Sequence, residues 1–204
     1  MEWRGRPSTP PEHRRYMTKI AYAYAPIDNL FEMITQLQRS NGCAAPRVSE
    51  FIDEYYATAY GCLRMRFYIK STDASPAPAP PILSWLPAAQ LLQLVHPRSI
   101  WCNVSENSTP LDRMLLEATG GVRVSRAVRR LTYNIGDVRI CLDHVDEMGD
   151  YVLISFPVAS ADEHKAHDRA NTVFEMLGID DKQRYVGWYG ALSKYAPLTI
   201  NGST

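Results

Sequence analysis

The sequence predicts an α+β fold organised around an antiparallel β-barrel. Segments with two-residue alternation recur along the chain with helical segments interspersed. They do not follow the strict strand–helix–strand order of a doubly wound parallel sheet. The stretch YNIGDVRICLDHVDEMGDYVLISF, residues 133 to 156, reads as strand, turn, strand and sets Arg139 and Asp143 on one face. Charge directed inward on a barrel strand marks a ligand-lined cavity rather than a dry core.

The elements follow in order. Residues 1 to 13 are rich in Pro and Arg without periodicity and are expected to be a tail, as are 197 to 204. A single domain is expected over 14 to 196. Arg15 to Tyr24 alternates as a strand, with Tyr16, Thr18, Ile20, Tyr22 and Tyr24 on one face and Arg15, Met17, Lys19, Ala21 and Ala23 on the other. Pro26 opens a helix whose apolar stripe is Leu30, Phe31, Ile34 and Leu37, and Asn41-Gly42 ends it. Glu50 to Ala59 and Leu63 to Lys70 read as a hairpin turning near Tyr60-Gly61. Its second strand sorts Leu63, Met65, Phe67 and Ile69 from Arg64, Arg66, Tyr68 and Lys70.

The Pro/Ala-rich stretch STDASPAPAPP cannot sit inside a sheet. A short apolar piece, Ile82 to Leu86, and a strand near Ser99 to Ser105 come next. Thr109 caps a helix with Pro110 at its first position, running to Ala118. Val122 to Tyr133 is a strand bearing Arg123, Arg126, Arg129 and Arg130, and Asp137 to Val145 pairs with Asp150 to Phe156. Ser160-Ala-Asp-Glu163 is a capping-box signature for a helix with the stripe Ala166, Ala170, Val173 and Leu177. Tyr185, Trp188, Tyr189 and Leu192 suggest a last short helix.

Bulk properties remove several function classes. Formal charge is zero over 204 residues, so nothing global favours nucleic acid or membrane, and a basic site must be local. No apolar run approaches the ~20 residues of a membrane-spanning helix. The N-terminus lacks the apolar segment of a secretory signal. Cys43, Cys62, Cys102 and Cys141 show no CxxC spacing, which fits reduced thiols in a cytoplasmic protein. His164, His167 and Asp168 share helical spacing, but a solvated polar face explains them better than a metal site.

The element order and its local motifs resemble the CYTH superfamily, the triphosphate tunnel enzymes, over residues 15 to 193. The most specific likeness is IGDVRICLDHVDEMGDY, which is similar to the family's strand–turn–strand ending in a Leu-Gly-aromatic step. Asp53-Glu-Tyr55-Tyr56 followed by Leu63-Arg-Met-Arg66, the step Arg98-Ser99 and the helix end Leu177-Gly178-Ile179 resemble further family motifs. The resemblance implies an antiparallel barrel of about eight strands with peripheral helices. Basic side chains inside it would grip a triphosphate or polyphosphate, and carboxylates would hold Mg²⁺ or Mn²⁺.

Carried over, the basic positions would be Lys19, Arg64, Arg66, Arg126, Arg130 and Arg139, with Arg129 competing in its strand. The acidic positions are mostly gone. The family's opening pair of glutamates falls on Arg15 and Met17, and its closing pair on Leu153 and Ser155. Asp143 remains as a thin metal candidate. Three readings follow: a tunnel that binds a nucleotide, organic triphosphate or polyphosphate with weak or absent turnover; a metal-dependent triphosphatase or adenylyl cyclase; and a barrel closed by internal ion pairs that serves as an interaction module.

Overall fold

The computed structural model describes residues 19–39, 45–58, 61–72, 80–87, 94–96, 101–103, 109–119, 123–180 and 184–185. Nine strands are defined among these: β1 Lys19–Pro26, β2 Arg47–Thr58, β3 Gly61–Ser71, β4 Ile82–Pro87, β5 Val95–His96, β6 Trp101–Asn103, β7 Arg123–Ile135, β8 Val138–Val145 and β9 Gly149–Val158. Helices α1 Leu30–Arg39, α2 Thr109–Ala118 and α3 Ala166–Met176 accompany them, with a 3-10 turn at Ser160–Lys165 before α3. The strands form one sheet in the order β5-β1-β9-β8-β7-β2-β3-β4-β6, and every pairing is antiparallel. No helix among the described residues is long and apolar enough to cross a membrane.

The sheet curls strongly. Tyr22 of β1 and Arg64 of β3 line the same cavity although five strand spacings separate them. At ~4.8 Å per spacing, a flat sheet would hold those strands roughly 24 Å apart. The α+β barrel-like architecture expected from the sequence is therefore present, with two of its nine strands only two and three residues long.

Strand parity divides the molecule into an outer and an inner face. Ala21, Ala23 and Ala25 of β1, Ile140 and Leu142 of β8, and Val152, Ile154 and Phe156 of β9 turn outward. They pack with Met33 and Leu37 of α1 and with Ala166, Ala170 and Phe174 of α3. The alanines suit this role, because short side chains let the helices lie close to the strands. A second outer cluster joins Met65 and Tyr56 to Leu115 of α2. The largest core thus lies outside the barrel wall, which leaves the inner face for polar chemistry.

Local chemistry explains where the elements differ from expectation. Phe31 is 78% exposed, because the buried stripe of α1 runs through Met33 and Leu37. Ile69 is exposed rather than packed with Met65: the β2–β3 register skips it at a bulge, passing from Glu50 opposite Lys70 to Phe51 opposite Tyr68. The Ser160 signature does not cap an α-helix. It starts the 3-10 turn, and no side chain caps either that turn or α3. Tyr185 joins β1 in a bridge to Tyr24 instead of starting a helix, while Trp188, Tyr189 and Leu192 lie outside the described residues. In the β7–β8 hairpin, Ile135 opposes Val138 across a two-residue loop, and Gly136 supplies its positive φ of 60°.

Candidate functional site

The inner face is built around two arginine–aspartate pairs. Asp53 of β2 stands opposite Arg66 of β3 in register, so both side chains leave the sheet on the same side. Arg66 Nε donates to Asp53 Oδ1 and Nη2 to Oδ2, both at 2.7 Å. Tyr55 Oη donates to Asp53 Oδ2 at 3.2 Å. Burial alone would raise the Asp53 carboxyl, but the charge and hydrogen bonds of Arg66, with help from Arg64 and Arg130, hold it below the usual carboxylate range. Burial also opposes charge on Arg66, and Asp53 overturns that too, so the guanidinium is held more firmly charged.

The second pair repeats this geometry across β7 and β8. Arg130 faces Asp143 in register and donates Nε to Oδ1 and Nη2 to Oδ2, both at 2.6 Å. Asp143 is fully buried. Phe51 lies between the pairs as a platform, its ring centroid 3.7 Å from the Arg66 guanidinium carbon and 5.1 Å from that of Arg130. Each arginine is therefore fixed by a planar carboxylate and by an aromatic face.

These groups surround a cavity of about 120 Å³ lined by Asp53, Tyr55, Arg64, Arg66, Arg130 and Arg139, with Tyr22, Cys141, Leu153 and Ser155 completing the wall. Arg64 is buried and its Nη2 lies 3.3 Å from Ser84 Oγ of β4. Burial lowers the Arg64 pKa first and Arg66 adds to the effect, against the opposing charge of Asp53. Arg139 stands at the rim. With Tyr22 and Ser155 it also lines an outer space of about 350 Å³ bounded by Asn134 and Asp137.

The far end of the barrel interior is filled. Tyr24, Phe51, Val128, Cys141, Val145 and Leu153 form an apolar cluster there. Tyr185 stacks on Tyr24 at 5.6 Å, and Tyr151 meets Tyr24 edge-on at 6.2 Å. The backbone bonds between Tyr24 and Tyr185, 2.9 and 2.8 Å, tie this plug to β1.

Of the residues expected to bind triphosphate, Arg64, Arg66, Arg130 and Arg139 are brought together. Lys19 is not. It shares the parity of Ala21 and reaches outward to Glu163 Oε1 of the 3-10 turn at 2.5 Å. Its strand alternates Ala and Tyr, so the two faces are hard to tell apart from the sequence, and a one-residue slip reverses them. Arg126 has the parity of Arg130 but does not line the cavity; its Nη1 reaches Glu147 Oε2 in the β8–β9 turn at 3.1 Å. Leu153 and Ser155, standing where the resemblance implies glutamates, do line it. Sequence reasoning missed Tyr22, Tyr55 and Phe51 as site residues. The period-two parity of β2, shared with Asp53, would have found the last two.

Mg²⁺ or Mn²⁺ does not fit these donors. Both oxygens of Asp143 accept from Arg130 and both oxygens of Asp53 from Arg66, so neither carboxylate presents an open edge to a hard cation. No group of three or more His, Cys, Asp or Glu among the described residues is placed to hold a metal.

Comparison with known proteins bears on this fold. No family model and no curated protein matches the sequence. Among solved structures, a conserved hypothetical protein from Pyrococcus furiosus superposes with a TM-score of 0.64 at 16% identity, over 83% of this chain and 97% of that one. The PH1012 protein from Pyrococcus horikoshii gives 0.65 at 15% identity, over 83% and 96%. A "putative adenylate cyclase" from Vibrio parahaemolyticus gives 0.57 at 13% identity, over 85% and 96%. Identities this low establish the fold alone. The chain shares the fold of these structures, in keeping with the barrel that the CYTH resemblance of the sequence implies.

Proposed function

We propose that the barrel interior binds a phosphorylated small molecule, of the nucleotide or polyphosphate kind, without metal and with weak or absent turnover. The supporting observation is the convergence of Arg64, Arg66, Arg130 and Arg139 on one cavity whose nearby carboxylates are already held by arginine. A guanidinium offers five N–H donors in a planar fork, and a bidentate bond to carboxylate uses two. An anion entering from the rim meets Arg139 first and Arg64, Arg66 and Arg130 deeper in. Phosphoryl transfer needs charge neutralisation at the leaving oxygens, commonly by a metal, and the carboxylates here are committed to arginines instead.

Calorimetric titration with tripolyphosphate and ATP, with and without Mg²⁺, tests this reading. Binding that persists in EDTA, with no phosphate release on long incubation, supports it. A complete lack of anion binding overturns the binding claim. Mg²⁺-dependent release that Asp143→Ala abolishes would favour a hydrolase or cyclase instead.

A further inference from the structure

We infer that the rim of the barrel reads the organic part of the ligand through Asn134 and Tyr22, so that the occupant is a nucleotide rather than an inorganic polyphosphate. The inference rests on the anion-binding reading above and names the substrate class of that same site. It holds whatever the number of phosphates.

Strand register builds the rim. Tyr22 of β1 stands opposite Ser155 of β9, Ser155 opposite Arg139 of β8, and Arg139 opposite Asn134 of β7. Partners in register leave a sheet on the same side, so these four side chains form one inward row across four strands. Tyr22, Ser155 and Arg139 line the inner cavity and the outer space alike, and Asn134 lines the outer space. A phosphate held by Arg139 therefore has Ser155 on one flank and Asn134 on the other, each one strand spacing of ~4.8 Å away.

The wall of the outer space suits an uncharged group. Among the described residues that line it, Arg139 is the one cation and Asp137 adds a carboxylate. The hydrogen bond from Arg169 holds Asp137 below the usual carboxylate range, so it stays ionised. Arg169 itself lines the neighbouring groove beside α3, with its guanidinium over the Phe156 ring. A phosphate chain of any length that leaves by the rim meets no further cation in this wall. A nucleoside finds better partners. Ile20, Tyr22 and Pro157 give apolar surface with a ring for stacking, and the Asn134 amide both donates and accepts, as a base edge requires.

The rim is also held in place. The two-residue loop between Ile135 and Val138 sets Asn134 opposite Arg139, and the Arg169–Asp137 bond ties that loop to α3. An edge fixed before the ligand arrives discriminates at lower entropic cost.

The test is calorimetry on the full chain in EDTA, comparing ADP with pyrophosphate and ATP with tripolyphosphate. Each pair matches phosphate number and nearly matches charge, so the nucleoside is the difference. Each nucleotide should bind about tenfold or more tightly than its inorganic match. A smaller preference overturns the inference while leaving the anion-binding reading intact, and failure of all four ligands overturns both. A second arm uses Asn134→Ala, at an exposed position, and Tyr22→Leu. In each, the ATP-to-tripolyphosphate preference should fall by about threefold or more. A general structural loss would weaken both ligands alike and leave that ratio where it was. A ratio unchanged in either variant overturns the role given to that residue.

Discussion

Arg130 and Asp143 face each other across β7 and β8 and join through two parallel bonds of 2.6 Å, with the carboxylate fully buried. Removing one member leaves the other charged inside the barrel. Asp143→Ala should therefore cost about 3–5 kcal/mol in urea unfolding, and the double change Arg130→Met with Asp143→Leu should recover most of it. A single variant that unfolds within about 1 kcal/mol of the parent would contradict the pairing.

Asp53 gives a pH signature. Its folded-state pKa lies below the ordinary value, so its contribution is present above the unfolded value of about 3.9 and is lost as pH falls through the lower, folded one. From this group, stability should be flat between about pH 5 and 8 and fall in acid below about 4. Asp137, pulled the same way by its bond to Arg169, adds a decline of like sign. The informative measurement is the difference between parent and Asp53→Asn, whose acid limb should be shallower.

Lys19 separates the outer wall from the cavity. Its partner Glu163 is 39% exposed, so Lys19→Ala should cost less than about 1 kcal/mol and leave phosphate affinity unchanged. Arg64→Ala should weaken phosphate binding by roughly tenfold or more, the worth of one charge-assisted bond. Titrating both variants side by side decides the matter, and equal losses would refute the assignment of faces.

Thiol chemistry reports on the barrel wall. Burial pushes the Cys62 thiol up to about 11, and burial likewise raises Cys141, which lines the cavity. Both are free thiols. Iodoacetamide mapping by mass spectrometry at pH 7.5 should find them slow to alkylate relative to the denatured chain. Rapid native-state labelling of Cys141 would mean that the wall opens.

Much of this arrangement was legible in the sequence because barrel strands obey a period of two. The alternation of Arg64 and Arg66 with Met65 and Phe67 separated two faces without saying which was inner, the family resemblance turned the arginines inward, and Arg139 and Asp143 identified an inward face on β8. Legibility failed where both faces carry residues that accept burial. β1 buries alanine on one side and tyrosine on the other, so its parity is ambiguous and Lys19 was set on the wrong side. It also failed across strands. Nothing local in β2 says that Asp53 will lie within 2.7 Å of Arg66, because that depends on a register fixed thirteen residues away. The plug was hidden for the same reason, since Tyr24 and Tyr185 meet only in three dimensions.

The separation of the helix-packed outer wall from the polar interior has an evolutionary corollary. Substitutions that retune the lumen need not erode the layer that keeps the chain folded, so the few inward-facing positions are free to change while the outer wall is kept. Ala21, Ile140 and Ile154 would stay under one selective pressure while Tyr22, Arg139 and Ser155, their immediate neighbours in the chain, answer to another.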